Sequence, residues 1–178
     1  MLREFKKTKI LLFLGSALAF CIICILEISN QHKRSELIIF QKSKQTLIGA
    51  KYNGSLKVYT DSIPNAEDSF TIKNYQLLNC IQTTSLDSLH NFYQTNRTQL
   101  IVIDSSGIYL DEPKKGVVLL SGSPDIHLDK LIYKLKPRQI IADGSNYKSY
   151  VEKWKASANR LNVPFHSTFE RGAFIFRH

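Results

Sequence analysis

Residues 117–146, VVLLSGSPDIHLDKLIYKLKPRQIIADGSN, decide the fold class. Val117 to Leu120 is an apolar run too short for a helix, and it reads as a buried strand. Ser123 offers an N-cap, Pro124 suits the first helical position, and Asp125 suits the positive end of the helix dipole. Ile126, Leu128, Leu131, Ile132 and Leu135 then share one helical face until Pro137 stops the helix. RQIIAD reads as a second strand, and Asp143-Gly144-Ser145-Asn146 as a polar turn in which Ser145 or Asn146 caps a further helix. A strand–helix–strand unit joins parallel neighbours and lays its helix on one face of their sheet.

The pattern extends in both directions. Downstream, Tyr147, Tyr150, Val151, Trp154, Ala158 and Leu161 line one helical face, and PFHST and GAFIF read as closing strands. Upstream, Leu100 to Ile103 and Gly107 to Leu110 read as strands before Val117. Residues 36–61 read as three short strands, the last two joined at Asn53-Gly54, a pair that accepts the positive φ of a tight hairpin. Residues 61–98 mix helix and strand signals without clear boundaries. The expected class is α/β (α+β): a mixed sheet with helices packed on it, over residues 36–178.

Residues 1–30 differ. No charge interrupts the chain from Ile10 to Leu26, close to the minimum that crosses a bilayer as a helix. Ala17-Leu18-Ala19 resembles a signal-peptidase site, but the apolar run continues past it, which favours an uncleaved transmembrane anchor. Arg3, Lys6, Lys7 and Lys9 outweigh Glu4 before the span, so the positive-inside bias places the N-terminus in the cytoplasm and the domain outside. Cys21 and Cys24 have metal-motif spacing but lie within this apolar run, which suits packing or lipid contact rather than ligation. Cys80 alone remains in the domain, so no disulfide is expected there.

The net charge is +9, which fits contact with nucleic acid, an anionic membrane, or a merely solvated basic surface. Lys130, Lys134, Lys148, Lys153, Lys155 and Arg160 make the polar sides of the two C-terminal helices basic. They are the candidate DNA-binding residues, through salt-sensitive phosphate contacts, and a solvated face is the plainer reading. Asp143-Gly144-Ser145-Asn146 fits a phosphate-binding helix start or an ordinary cap and turn, and no P-loop accompanies it. Trp154 reads as core rather than a base-stacking platform, and His166 as a structural histidine. Asp104 and Asp143 each follow an apolar strand, as catalytic carboxylates often do, but no metal-ligand cluster accompanies them. The five histidines are scattered, so no catalytic residue, metal site or cofactor is assigned.

The order of these elements resembles the C-terminal region of the ComEC family, polytopic bacterial membrane proteins associated with uptake of single-stranded DNA. The resemblance rests on residues 117–146 and on VEKWKASANRLNVPFHSTFERGAFIF, residues 151–176, with weaker support over 36–60. It implies a truncated metallo-β-lactamase-like domain behind a membrane span. The hydrolases of that fold use a His-x-His-x-Asp-His loop, absent here, and Ser121-Gly122-Ser123 stands where related chains with an intact site carry His-His-Gly-Ser. The resemblance therefore implies a non-catalytic competence module in the bacterial inner membrane. Its expected partners are lipid, DNA and a polytopic membrane subunit, or the chain is a split tail of such a protein. A membrane-anchored metal-dependent hydrolase using Asp104 or Asp143, and a structural module without a DNA role, are the rival readings.

Overall fold

The structure, a computed structural model, describes residues 2–33, 35–62, 70–95, 98–109 and 115–177. Helix α1, Leu2–Lys33, carries a stretch long and apolar enough to cross a bilayer, Lys9–Leu26, none of it buried against the rest of the chain. The Ser16 hydroxyl, the polar side chain in its middle, donates back to the Phe13 carbonyl at 2.8 Å, so it stays bonded without water.

Three strands follow: β1 (Glu36–Ile39), β2 (Leu47–Tyr52) and β3 (Ser55–Thr60). The β2–β3 turn holds Asn53 at φ 46 and Gly54 at φ 72, the left-handed pair that Asn-Gly signals. Helix α2 (Phe70–Leu78) crosses over to β4 (Thr83–Ser88), which pairs parallel to β3. Strands β5 (Phe92–Gln94), β6 (Gln99–Ile103) and β7 (Val117–Leu120) come next. Helix α3 (Leu128–Leu135), β8 (Gln139–Ala142), helix α4 (Lys148–Arg160), β9 (Phe165–Ser167), the short helix α5 (Thr168–Arg171) and β10 (Phe174–Arg177) complete the order. They build two mixed five-stranded sheets, β10-β1-β2-β3-β4 and β5-β6-β7-β8-β9. In the second sheet β6 to β9 are parallel, as the strand–helix repeats require.

Side-chain alternation stacks these sheets. In β1, Leu37 and Ile39 enter the same core as Leu100, Val102, Val117, Leu119 and Ile141 of the second sheet. Their neighbours Ile38 and Phe40 turn the other way, joining Leu47, Leu56 and Val58 beneath Ile72 and Tyr75 of α2. On the far side, Ile101, Ile103, Val118, Leu120, Ile140 and Ala142 pack beneath Leu131, Leu135, Val151 and Trp154 of α3 and α4. Helix, sheet, sheet and helix form four layers. The central strands β6, β7 and β8 are covered on both faces, which explains why they read as unbroken apolar runs rather than alternating ones.

Three local expectations change. Residues 107–109 form no strand: Gly107 sits at φ 67 with its N–H on the Asp104 carbonyl at 2.9 Å, and this turn ends the extended run; Leu110 lies outside the described residues. Helix α3 begins at Leu128 behind His127, not at Pro124, because Ser123 adopts φ 58, which no N-cap uses. Helix α4 has Tyr147 at its N-cap with no side-chain bond, because Ser145 and Asn146 spend their polar groups on another loop.

Candidate functional site

Parallel strands end on one edge, so β6, β7 and β8 deliver Asp104, Ser121-Gly122-Ser123 and Asp143-Gly144-Ser145-Asn146 side by side. The other sheet brings the β1–β2 loop, with Gln41 to Thr46, and Asp61 after β3 to the same edge. Asp143 is the hub, 2% exposed. Its Oδ1 accepts the Ser145 N–H at 3.0 Å, the Ser145 hydroxyl, and the Asn146 side-chain N–H at 3.0 Å. The Asn146 amide also donates to the Leu120 carbonyl at 2.7 Å, and its Oδ1 accepts the Ser123 N–H at 2.8 Å. Ser145 Oγ accepts the Gly122 N–H at 2.7 Å and the Thr46 hydroxyl at 3.2 Å. Thr46 and Ser121 share a hydroxyl–hydroxyl bond of 2.5 Å, and the Thr46 N–H donates to Asp61 Oδ2 at 3.2 Å.

These bonds sew the two sheets together. Gly144 shows how close the seam is: a Cβ there would lie 2.3 Å from the Lys42 carbonyl oxygen, and the Gly144 carbonyl accepts the Lys44 N–H at 2.8 Å. The polar turn at 143–146 is therefore a tie between sheets, and not the helix cap that its residues suggest. The second carboxylate oxygen of Asp143, Oδ2, is buried without a hydrogen-bond partner among the described residues. Burial pushes the carboxyl up to about 6, the Asp61 charge adds to the rise, and the hydrogen bonds from Ser145 hold it back.

Above the seam opens a cleft of about 650 Å³ lined by Asp61, Ser62, Asn91, Asp104, Ser105 and Ser121, among others. Asp104 Oδ1 accepts the Ser106 N–H at 2.9 Å and the Ser106 hydroxyl at 2.5 Å. Among the described residues the lining holds two carboxylates and no Lys, Arg or His. Nor do three His, Cys, Asp or Glu side chains converge anywhere among the described residues. Zinc wants nitrogen or sulfur donors; this edge offers hydroxyls, amides and carboxylates, and the Oδ1 of its deepest carboxylate already accepts three hydrogen bonds. The edge does not fit the hydrolytic metal of the fold that the sequence resembles. His127 is exposed at the start of α3, and His166 places Nε2 3.0 Å from the Gly172 carbonyl while packing its ring on Phe174.

The six basic candidates lie on α3 and α4 and none lines this cleft, although Lys148, the first residue of α4, follows closely on the 143–146 turn at the same edge. Lys130, Lys153 and Arg160 line a groove of about 450 Å³ between the two helices, with Asp129 among them. Arg160 pairs with that Asp129. Lys134 lies 5.8 Å from the Tyr109 ring centre. Lys148 pairs with Glu152 at 3.9 Å, and Lys155 with Glu170 at 2.6 Å, a bond that holds Glu170 below the usual carboxylate range. The structure thus groups Lys130, Lys153 and Arg160, and gives Lys148 and Lys155 carboxylate neighbours on the same surface. Thr46 and Asp61 escaped sequence reasoning, and Ser121 reads in the sequence only as a loop position lacking a histidine. Nothing local marks them, since their partners lie 15 to 99 residues away.

The model of the ComEC C-terminal domain family matches residues 37–178. No curated protein and no solved structure matches the chain. The family match runs from β1 through β10 and so includes both sheets, the seam and the cleft. The chain belongs to the ComEC family of competence and DNA-uptake membrane proteins, through its C-terminal domain.

Proposed function

We propose that this chain is a membrane-anchored, non-hydrolytic module of DNA uptake, whose α3–α4 face rather than its cleft meets the phosphate backbone. The observation that carries the reading is the contrast between the two surfaces. The cleft has Asp61 and Asp104 without a described cation beside them, so it repels a polyanion. The α3–α4 groove carries Lys130, Lys153 and Arg160. The four-layer arrangement supports a metallo-β-lactamase-like ancestry, with the seam of Thr46, Ser121, Ser145 and Asn146 standing at the strand-end edge where such hydrolases keep their metal. Seam side chains hold the Ser145 and Asn146 polar groups in bonds, which leaves little for activating a water.

Helix α1 supplies the anchor. Its Lys9–Leu26 stretch rises about 27 Å at 1.5 Å per residue, close to the thickness of a bilayer's hydrocarbon. Basic residues precede it, which favours a cytoplasmic N-terminus, a single pass of the bacterial inner membrane and an extracytoplasmic domain. A channel for DNA needs several spans, and a polytopic subunit of the ComEC kind is the partner proposed to supply them.

The test is binding of a fluorescent single strand by the full chain in detergent, with divalent metals present and the strand's length checked afterwards. Retention of an intact strand at low salt supports the reading, and a shortened strand supports the hydrolase instead.

A further inference from the structure

We propose that the end of the sandwich opposite the cleft is a second membrane contact, an apolar and basic foot that rests on anionic lipid. The inference rests on α1 spanning the bilayer, as proposed above. The chain leaves the span at Leu26, stays helical to Lys33, and enters β1 at Glu36. Seven helical residues add about 10 Å, and the few beyond Lys33 add at most about 3.5 Å each. The start of β1 is therefore held within about 20 Å of the hydrocarbon.

What gathers at that end suits such a position. Tyr75 donates its hydroxyl to Glu36 at 2.9 Å, Asn79 accepts from Lys51 at 3.5 Å, and the Gln82 N–H meets the Gly54 carbonyl at 2.9 Å. These bonds fix the C-terminus of α2 and the β2–β3 turn beside the entry point. The large apolar side chains there face outward: Tyr52 is 65% exposed, Leu77 79% and Leu78 80%. No described residue covers them, and a tyrosine with two leucines is the composition of an interfacial contact. The parallel strands β6 to β9 of the second sheet begin at the same end, since they finish at the cleft. There Lys115, Lys136 and Arg138, just ahead of β7 and β8, are exposed and add positive charge that anionic headgroups attract. Six residues of β3, about 20 Å, separate this foot from the cleft, which then faces away from the bilayer.

Cys80, exposed in the turn after α2, supplies the probe. The full chain with Cys21→Ser and Cys24→Ser takes a fluorescent label at Cys80 and is reconstituted in phosphatidylcholine vesicles containing phosphatidylglycerol and a bromine-tailed lipid. A control carries Cys80→Ser and places the label at Ser105→Cys, on the cleft. The bromolipid is expected to quench the Cys80 label and spare the Ser105→Cys label, and Leu77→Ser with Leu78→Ser is expected to relieve the quenching. Equal, weak quenching at both positions, in protein that carbonate fails to extract, overturns the foot while leaving the span intact. Protein that carbonate extracts overturns the span and the foot together.

Discussion

Asp143→Asn separates the charge of the seam's hub from its shape. Burial raises the carboxyl from an ordinary 3.8 to about 6. The native state therefore holds this proton more tightly than the unfolded chain does. The sign is the reverse of the usual aspartate. Its contribution is fully favourable below about pH 4, fades as pH rises through 6, and is absent above it. A rise of about two pH units, at 1.36 kcal/mol each, amounts to roughly 3 kcal/mol. An asparagine keeps an Oδ1 for the three donors from Ser145 and Asn146, and it carries no charge into the buried site. It also puts an N–H where Oδ2 lacks a partner, a cost of about 1–3 kcal/mol that does not vary with pH. The pH dependence of the difference between the two proteins therefore isolates the charge. Urea unfolding of the full chain in detergent, followed by the fluorescence of Trp154, the single tryptophan, gives both stabilities. Relative to the parent, Asp143→Asn is expected to gain about 2 kcal/mol between pH 4 and pH 7. A gap that stays constant over that range, or closes as pH rises, would refute the buried-carboxylate reasoning.

Gly144→Ala drives a methyl to 2.3 Å from the Lys42 carbonyl oxygen, so the seam has to part, at a cost of about 1–3 kcal/mol seen as a lower melting temperature. Trp154→Ala empties the core between α4 and the second sheet, where the ring is 2% exposed and packs 5.6 Å from Tyr150. Its expected cost is about 3–5 kcal/mol, measured by circular dichroism because the fluorophore is gone. Asn53→Val places a β-branched residue at φ 46 and should loosen the β2–β3 turn by about 1–2 kcal/mol, read by thermal melting.

Elements were legible where their signals were local. The apolar runs of β6, β7 and β8, the helical face through Val151, Trp154 and Ala158, and the Asn53-Gly54 turn each follow from neighbours within a few residues. The seam was not legible, because its bonds join Thr46 to Ser121 and Ser145 across the two sheets. The same long-range bonding explains the misplaced start of α3. Ser123 reads as a cap for the helix just after it, yet its hydroxyl accepts the Tyr147 N–H at 2.7 Å, 24 residues on. Two sheets rather than one also escaped the sequence, since a strand's inward residues do not say which sheet they will meet. The basic residues of α3 and α4 were legible as a set, but Asp129, Glu152 and Glu170 partner three of them through contacts that only the fold creates or aligns.

One salt titration tests whether the α3–α4 face meets DNA: the affinity of the full chain for a labelled single-stranded DNA, measured with the native sequence and with Lys130→Glu plus Lys153→Glu. The expected affinity is indifferent to base sequence and falls linearly on a log–log plot as salt rises, with the strand intact throughout. Removing two phosphate contacts should reduce the slope by about 1.4, at roughly 0.7 per contact for a single strand. An affinity unmoved by salt, or a slope unchanged by the paired substitution, would contradict it.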